Sequence, residues 1–387
     1  MRNFIQELKS FFRKGDMVLL VLCLATSAFG CLILASATNA PKFGSSTRYI
    51  IIQIGATLIG VLLFWLFSSI DTDFLSEHRV ALSVFNVGLL LLLIPFGTDN
   101  NTGNRSWLHF AFLPFNIQPA EFCKILYIII TASVMASHQN RLSHVSSVVH
   151  MVFHLILVFG TNMLVSRDLG VSMIFVFIFI GMAFAGGVKM IWFLIAGGGL
   201  ALAGPILWTH FLSEKQQKRI LVLFDPTIDP QGLDERWHSA QSLKSLTGGG
   251  LVGQGLFNGN RTQAGALYAQ HTDYIFSSIG EELGFFGCML VIGMLLMIII
   301  RCIWVGCQTR DYMRRLVCFG AASAMIFQVI SNVGMCLGVT PVIGLTLPLF
   351  SYGGSSIVAT YAMLGFVSGV HARPAPQSHE RYVQPPR

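Results

Sequence analysis

The residues best suited to chemistry lie in one polar interval, residues 225–287, of an otherwise apolar chain. Its centre is His271-Thr272-Asp273, which directly precedes an apolar stretch. Partial burial of Asp273 at that position would raise its pKa towards that of a general base, whereas a nearby arginine would lower it. The sequence therefore offers Asp273 as a catalytic carboxylate beside His271. A helix cap is the alternative for an isolated aspartate so placed.

The same interval contains a glycine run, with five glycines among residues 248–255. Successive backbone N–H groups in such a run can hold an anion, and a flexible turn is the alternative. The run is not a P-loop, because no Lys-Ser or Lys-Thr pair follows at the required spacing.

A second cluster joins Arg105 and Trp107 to Glu121 and Lys124. Glu121 and Lys124 are three residues apart, so they share a helix face and can pair. Charges inside an apolar span are costly and usually face the bundle interior or a water-filled cavity. The pair is thus either part of a site or a structural ion pair. Trp107 is either a substrate contact or an aromatic residue of the membrane interface.

Two further clusters complete the candidate chemistry. Asp168 precedes an apolar run, where it could cap a helix as readily as act in catalysis. Residues 341–356 contain Ser351 and Ser355, with two prolines bracketing a turn. The Gly353-Gly354 pair would break a helix unless other groups satisfied the backbone, which indicates irregular backbone lining a cavity.

The elements that position these clusters are membrane helices. The chain has 387 residues, of which 53% are hydrophobic and 11% charged, against about 25% charged in soluble proteins. This composition predicts an all-α polytopic membrane protein. A span needs about 20 apolar residues, and on that rule the sequence predicts ten spans: 17–37, 50–69, 81–97, 118–137, 146–165, 169–186, 189–211, 276–300, 315–339 and 348–371.

The distribution of Lys and Arg predicts the orientation. With a cytoplasmic N-terminus, the inner segments carry fourteen Lys and Arg residues and the short outer loops carry four. Positive charge is enriched in cytoplasmic loops, so both termini are predicted to be cytoplasmic. The chain then divides into an inner segment 1–16, a membrane domain 17–371 with a long outer loop 212–275, and a disordered tail 372–387. All four clusters fall at the outer face.

Together the clusters resemble the SEDS family (shape, elongation, division and sporulation), the FtsW- and RodA-type cell-wall proteins of bacteria. The similar segments occur in the family's order between Gly103 and Ser356, at residues 103–108, 118–124, 168–170, 241–255, 271–287 and 341–356. The chain departs from the family at Tyr268-Ala269, where Pro-Glu is usual. Gln241-Ser242-Leu243 and residues 280–284 and 344–348 look more like the division-type members.

The resemblance implies a glycosyltransferase that polymerises lipid II into peptidoglycan strands outside the cytoplasmic membrane, with Asp273 as the catalytic carboxylate. It implies a class B penicillin-binding protein as partner, no nucleic acid, and cationic groups or a divalent cation (Mg²⁺ or Mn²⁺) that meet the charge on the leaving pyrophosphate. The sequence predicts as substrate contacts Arg105, Trp107, Glu121, Lys124, Asp168, Arg219, Gln241, Lys244, His271, Ser351 and Ser355.

Two other functions remain open from the sequence. A lipid II flippase would carry ionisable groups and broken helices near the bilayer midplane. Here only Glu121 and Lys124 are clearly inside a span, and the other charge collects at one face, which favours an enzyme. A membrane scaffold of the division or elongation machinery would leave His271-Thr272-Asp273 without a function.

Overall fold

A computed structural model describes residues 11, 13–98, 104–110, 116–210, 212–225, 229 and 237–373. Residues 374–387 of the predicted disordered tail and most of the predicted inner segment 1–16 lie outside the described residues, and Ala372, the first residue of that predicted tail, is helical. Within them the fold is a bundle of long apolar helices with one small two-stranded hairpin, so the predicted all-α polytopic class is confirmed.

The helices follow the hydropathy of the chain. Their bounds are α1 (Met17–Ala37), α2 (Ser46–Ser69), α3 (Thr72–Glu77), α4 (Arg79–Leu91), α5 (Leu93–Phe96), α6 (Pro119–Ser137), α7 (Val145–Val165), α8 (Leu169–Gly186), α9 (Met190–His210), α10 (Glu214–Phe224), α11 (Trp237–Gly249), α12 (Asn260–Gln263), α13 (Ile275–Gln308), α14 (Tyr312–Cys336) and α15 (Gly354–Ala372). Short 3-10 turns lie at Pro41–Phe43 and Gln139–Arg141. Strands β1 (Gly97–Thr98) and β2 (Trp107–Leu108) pair antiparallel.

Nine helical segments of the described chain are long and apolar enough to cross a membrane, α4 and α5 together forming one of them. The remaining predicted span, 189–211, corresponds to α9, whose apolar part is the shorter stretch Met190–Ile206. The ten segments therefore alternate between two ends of the bundle. The connection before α13, which corresponds to the predicted long loop, contains the three helices α10, α11 and α12.

Two predicted span ends were wrong. The eighth span was predicted to stop at residue 300, yet α13 continues to Gln308, because the Arg301 guanidinium is neutralised inside the bundle. It donates to both carboxylate oxygens of Asp16, at 2.8 and 2.9 Å, and lies 4.1 Å from the Trp304 ring. The tenth span was predicted to begin at residue 348, whereas α15 begins at Gly354 and residues 337–353 are irregular.

Helix α15 packs closely along α2. A Cβ built at Gly365 would fall 2.6 Å from the Phe64 carbonyl oxygen, and one at Gly369 would fall 2.8 Å from that of Ser68. Small residues let two backbones approach in a membrane bundle, where packing replaces the hydrophobic effect. Nearer the start of α2, the Gln53 side chain donates to the Ser351 carbonyl at 3.1 Å, which fixes the irregular segment 337–353 against that helix.

We call the end of the bundle that carries the α13 N-terminus the site end and the other the opposite end. The site end comprises residues 38–45, 97–118, 166–168, 211–274 and 337–353, as far as they are described. The opposite end is tied by ion pairs. Arg314 donates to Asp73 at 2.7 Å and reaches Asp71 at 3.3 Å, while Arg301 holds Asp16.

Candidate active site

Asp273 lies two residues before α13, in a turn held from both sides. The backbone N–H groups of Thr272 and Tyr274 both donate to the Ala269 carbonyl at 3.1 Å. The buried Asn332 amide of α14 donates to the Asp273 carbonyl at 2.8 Å and to that of Leu345 at 2.7 Å. The position of the carboxylate is therefore set by helix α14 and by the segment that follows it, and its side chain remains only half-buried.

Ser351 holds the residue before Asp273. Its hydroxyl donates to the Thr272 carbonyl at 2.6 Å and accepts from the Leu347 N–H at 2.8 Å. The next residue, Tyr352, donates its N–H to the His271 carbonyl at 2.8 Å. The segments 271–273 and 347–352 are far apart in sequence and are thus joined by hydrogen bonds to the main-chain carbonyls of His271 and Thr272.

The His271 ring packs among aromatic rings. Its centroid lies 4.9 Å from that of Phe43, 5.4 Å from Tyr49 and 5.7 Å from Tyr352. Burial, reinforced by the charge of Lys42, lowers the pKa of His271 to about 4. The imidazole is therefore neutral at pH 7, and it supports the turn by packing against these rings.

Gly344 leaves space beside the carboxylate. Its φ is +67°, a left-handed conformation that glycine adopts without steric cost. A Cβ at this position would lie 3.5 Å from Oδ2 of Asp273. Any larger side chain at Gly344 would approach the carboxylate and narrow the space available to a reacting group.

Asp168 lies between the hairpin that carries Arg105 and Trp107 and the irregular segment 337–353. Its Oδ1 caps α8 by accepting from the Val171 N–H at 3.1 Å, and its Oδ2 accepts from the Ser106 hydroxyl at 3.2 Å. Gly170, two residues on, packs so closely that a Cβ would lie 2.5 Å from the Ile343 carbonyl oxygen. The capping interpretation of Asp168 is thus realised, and it places this carboxylate at the same end as Asp273.

The positive charge of Arg219 acts to lower the pKa of both Asp168 and Asp273. Burial raises the pKa of Asp273 to about 6, the Thr272 hydrogen bond and Arg219 lower it, and Asp168 raises it. Burial likewise raises the pKa of Asp168 against hydrogen bonds from Val171 and Ser106. Arg219 on α10 donates to the Val342 carbonyl at 3.2 Å. A carboxylate tuned towards neutrality and a cation therefore share one site, as base chemistry next to an anionic leaving group requires.

Arg105 and Trp107 lie on the hairpin beside Asp168. Arg105 is exposed and Trp107 half-buried, and the Thr98 hydroxyl donates to the Trp107 carbonyl at 3.1 Å. Ser106, between them, is the residue that reaches Asp168. The Arg105 side chain is therefore free to meet a ligand at the site end.

Glu121 and Lys124 form a buried pair in α6. Lys124 Nζ lies 2.6 Å from Glu121 Oε2 and 3.3 Å from Gln328 Oε1 on α14. Ser355, in the first turn of α15, lies against the N-terminus of α6, where its hydroxyl accepts from the Gln118 N–H at 3.3 Å. These contacts brace α6 against α14 and α15, and among the described residues none of them joins the pair to Asp273.

Gln241 and Lys244 lie on α11, which packs against α13. Arg261 donates to the Gln241 side-chain oxygen and, through Nε, to the Ser245 hydroxyl at 3.1 Å. Its backbone N–H donates to Glu281 at 2.7 Å. Gln241 therefore organises the long connection, while Lys244 is exposed to solvent.

The glycine run does not form an anion cradle. Its N–H groups are used by α13, since Gln254 and Gly255 donate to the Glu281 and Glu282 carbonyls at 3.0 and 2.9 Å. Helix α13 kinks at Gly284, where φ is +66°, so that its Phe285 N–H donates back to the Gly250 carbonyl at 2.9 Å. The backbone of the glycine run therefore packs directly against the backbone of α13.

The carboxylates of Glu281 and Glu282 are buried and satisfied within the long connection. Glu281 accepts from Thr262 at 2.9 and 2.8 Å, and Glu282 accepts from Ser36 at 2.7 Å and Gln263 at 2.8 Å. Both side chains therefore fix the long connection to α1 and α13.

A model of the FtsW/RodA/SpoVE family, described as cell cycle proteins, matches residues 16–375. The chain belongs to this family. The resemblance seen in the sequence is confirmed.

Curated relatives cover almost the whole chain. The peptidoglycan glycosyltransferase MrdB of Escherichia coli K12 is 29% identical over 94% of this chain and 95% of its own. The probable peptidoglycan glycosyltransferase FtsW of Tolumonas auensis is 33% identical over 92% of this chain and 91% of its own. The enzyme class expected from the sequence is thereby confirmed.

Solved structures share the fold. Rod shape determining protein RodA of Thermus thermophilus is 26% identical and superposes with a TM-score of 0.68 over 94% of this chain and 98% of that one. A chain of a structure described as coordinating polymerization and crosslinking in a peptidoglycan synthase complex is 29% identical, with a TM-score of 0.77 over 92% and 97%. The FtsW/RodA/SpoVE fold is a multi-pass membrane bundle, as found here.

Two buried amides that hold this family member's site were missed from the sequence. Asn332 fixes Asp273 from α14, and Asn162 on α7 donates to the Ser172 hydroxyl at 2.8 Å and to the Asp168 carbonyl at 3.4 Å. An amide inside an apolar span is the signal that could have found them, because such groups are costly unless satisfied.

Two left-handed residues also flank the site. Arg167 (φ +58°) precedes Asp168, and Leu349 (φ +65°) precedes the Ser351 clamp. Non-glycine residues in this region store backbone strain, which is tolerated where the surroundings over-determine it.

The described residues hold no group of three or more His, Cys, Asp or Glu that could bind a metal by themselves. The carboxylates of Asp168 and Asp273 are nevertheless close enough to influence one another. Mg²⁺ often takes only one or two protein carboxylates and fills its shell with phosphate oxygens and water, so the carboxylates present are compatible with a cation that arrives with a pyrophosphate.

Proposed function

We propose that this chain is a peptidoglycan glycosyltransferase that joins lipid II units at the outer face of the cytoplasmic membrane, in cell division or elongation. The observation that carries the proposal is the convergence of four sequence clusters around Asp273. Ser351, Gly344 and Ile343 link residues 341–356 to Asp273 and Gly170, and Ser106 links the hairpin to Asp168. Relatives named as peptidoglycan glycosyltransferases support this reaction.

Asp273 is the proposed general base. The acceptor sugar's 4-hydroxyl oxygen attacks the anomeric carbon of the donor, and its proton passes to the Asp273 carboxylate. The bond between the anomeric carbon and the pyrophosphate oxygen breaks, and undecaprenyl pyrophosphate leaves. A carboxylate with a pKa of about 6 is ionised at pH 7 and more basic than an ordinary aspartate.

Arg219 is the proposed partner of the leaving group. Its charge acts on both Asp168 and Asp273, so it lies near the reacting atoms. A fixed cation in a site with little water stabilises the charge that develops on the pyrophosphate. Arg105, exposed beside Ser106, and Lys244, exposed on α11, can meet the same diphosphate from the water side.

A divalent cation, Mg²⁺ or Mn²⁺, belongs to the proposal as a companion of the diphosphate. Asp168 would hold it, and when bound it would supply further neutralisation of phosphate charge. Asp273 would remain available for the acceptor proton.

The orientation follows from charge. The described Lys and Arg residues of the opposite end are Arg13, Lys14, Arg79, Arg141, Lys189, Arg301, Arg310, Arg314, Arg315 and Arg373. The short connections of the site end and the helix ends beside them carry only Lys42, Arg48, Arg105 and Arg167 among the described residues, and the long connection is not counted because long loops cross the membrane largely regardless of charge. Since short cytoplasmic loops are enriched in Lys and Arg, we assign the opposite end to the cytoplasm and the site end to the outside. A lipid-linked donor then reaches the site from the outer leaflet.

The proposed partner is a class B penicillin-binding protein. A structurally similar chain is part of a peptidoglycan synthase complex in which polymerization and crosslinking are coordinated. A transpeptidase at the site end would receive the glycan as it forms.

The test is polymerisation of labelled lipid II by the purified protein with its penicillin-binding partner, the products being resolved by gel electrophoresis. Polymeric glycan is expected. Movement of lipid II across vesicles without any polymer would instead establish a flippase, the function that the buried Glu121 and Lys124 pair would then serve. If the protein neither makes polymer nor moves lipid II across vesicles, a membrane scaffold is the function that remains.

A further inference from the structure

A cationic cluster lies at the opposite end, on the side of the bundle formed by α4, α6 and α7. The ring of His150 lies 5.2 Å from that of His138, the C-cap of α6, and 5.2 Å from that of His154, one turn further along α7. Arg79, the first residue of α4, acts electrostatically on both His150 and His154. Three imidazoles and a guanidinium thus share one groove between three helices.

The cluster has no counter-charge among the groups that act on it. Every charge of the described residues that influences both His150 and His154 is cationic. The nearest acidic residues along the chain are engaged elsewhere or exposed: Asp73 pairs with Arg314, and Glu77 lies in solvent on α3. The remaining neighbours, His78, Arg141 and His144, add positive or neutral groups. Like charges held together without an acid attract an anion.

The surroundings of the cluster are lipid-facing. On α7, Val149 and Phe153 are 61% and 56% exposed, and on α4, Val80 and Val84 are 72% and 69% exposed. Apolar side chains exposed on membrane-spanning helices contact acyl chains. The groove therefore opens towards lipid more than towards water, which favours a lipid as the source of the anion.

The depth along α7 matches a lipid headgroup. His150 follows the helix start at Val145 by five residues, or about 7.5 Å at 1.5 Å per residue. That distance is similar to the thickness of the headgroup layer, roughly 5–7 Å on each side of the hydrocarbon core. His154, about 6 Å deeper, lies where the ester oxygens of the same lipid follow its phosphate.

We propose that His138, His150, His154 and Arg79 form a binding site for the phosphate of an anionic glycerophospholipid in the leaflet at the opposite end. His138 Nδ1 donates to the Val134 carbonyl at 2.8 Å, which orients the ring and leaves Nε2 for the ligand when the ring is protonated. Imidazole donates from both nitrogens only when charged, and the neighbouring cations and burial oppose that charge, so the site binds its anion more tightly as the pH falls from about 7 to about 5.

The test measures the affinity of the full-length protein in detergent for phosphatidylglycerol and phosphatidylcholine by native mass spectrometry. The wild-type protein should prefer phosphatidylglycerol, and the preference should grow as the pH is lowered from about 7 to about 5. Arg79→Gln should reduce it about fivefold, the effect of one interfacial cation. His150→Gln/His154→Gln should reduce it further and remove its pH dependence.

The matched control is His371→Gln, which alters a histidine of the same end that stacks on Trp304. It should keep the wild-type preference. His150→Lys should keep the preference while weakening its dependence on pH, which separates charge from packing. An unchanged preference in both Arg79→Gln and the double histidine variant would overturn the site. Displacement of phosphatidylglycerol by equimolar inorganic phosphate would overturn the assignment to a lipid.

Discussion

At the scale of single residues, the site depends on opposing influences on one carboxyl group. Burial raises the pKa of Asp273 to about 6, Asp168 adds to the rise, and Thr272 and Arg219 counteract it. The sequence predicted both a raising and a lowering influence, but their balance requires the fold. The result is a group that is ionised at neutral pH and readily accepts a proton.

The first prediction is the pH dependence of polymerisation. Because the base must be ionised before it accepts the acceptor proton, the rate should be high above the pKa and fall as pH drops through about 6. Initial rates of lipid II polymerisation between pH 5 and pH 8 measure it. Asp168→Asn keeps a capping side chain and removes one negative charge, so it should move the midpoint downwards. A rate that is constant from pH 5 to pH 7 would exclude Asp273 as the titrating base.

At the scale of elements, the helix interfaces carry polar groups that must be satisfied inside the membrane. Lys124 pairs with Glu121 and also contacts Gln328, which joins α6 to α14. Removing one member of a buried pair leaves the other charge uncompensated, which costs about 3–5 kcal/mol. Replacing both members by apolar residues of similar volume is often neutral.

The second prediction separates a structural pair from a substrate contact. Lys124→Met alone should destabilise the protein by about 3–5 kcal/mol, and Glu121→Leu/Lys124→Met should recover most of that loss. Thermal unfolding in detergent measures stability, and lipid II polymerisation measures activity. A double variant that is stable and active confirms a brace. A double variant that is stable but inactive would assign the pair to the substrate instead.

The elements also show which parts of the fold hydropathy could predict. Apolar length placed the ten helices, because about 20 apolar residues are needed to cross a bilayer. It misplaced the end of α13, since the Arg301 charge is neutralised by Asp16, more than 280 residues away, in a contact that local sequence does not contain. It also misplaced the start of α15, because Ser351 and Tyr352 bind residues 271–272 and do not join the helix.

The sequence was sufficient to predict which polar residues belong to the candidate site, but not which residues they contact. Asp273, Asp168 and Ser351 stood out as polar groups at helix ends, and all three lie at the site end. The prediction that the glycine run holds an anion was wrong, because the N–H groups of Gln254 and Gly255 donate to the Glu281 and Glu282 carbonyls just before the kink at Gly284. This pairing between separate segments is not visible in the local sequence. Asn332 was missed because one amide inside α14 is visible only as a break in an apolar pattern.

At the scale of the whole molecule, function depends on which end of the bundle faces out. The third prediction concerns this orientation. With the exposed Cys307 replaced by serine, Tyr268→Cys at the site end should react with a membrane-impermeant maleimide in intact cells. The matched variant Arg310→Cys, exposed at the opposite end, should react only after permeabilisation. The reverse labelling pattern would place Asp273 in the cytosol and end the account of an outer-face transferase.

In the proposed function, the bundle presents the Asp273 carboxylate to a sugar carried on a lipid. The most direct measurement is the yield of glycan polymer from lipid II, in proteoliposomes that contain the protein and its penicillin-binding partner, for the wild type and Asp273→Asn. The substitution preserves side-chain size and leaves the Asp273 carbonyl bound to Asn332, so the protein should fold and assemble normally while polymer disappears. Undiminished polymer from Asp273→Asn would contradict the assignment of this residue as the catalytic base.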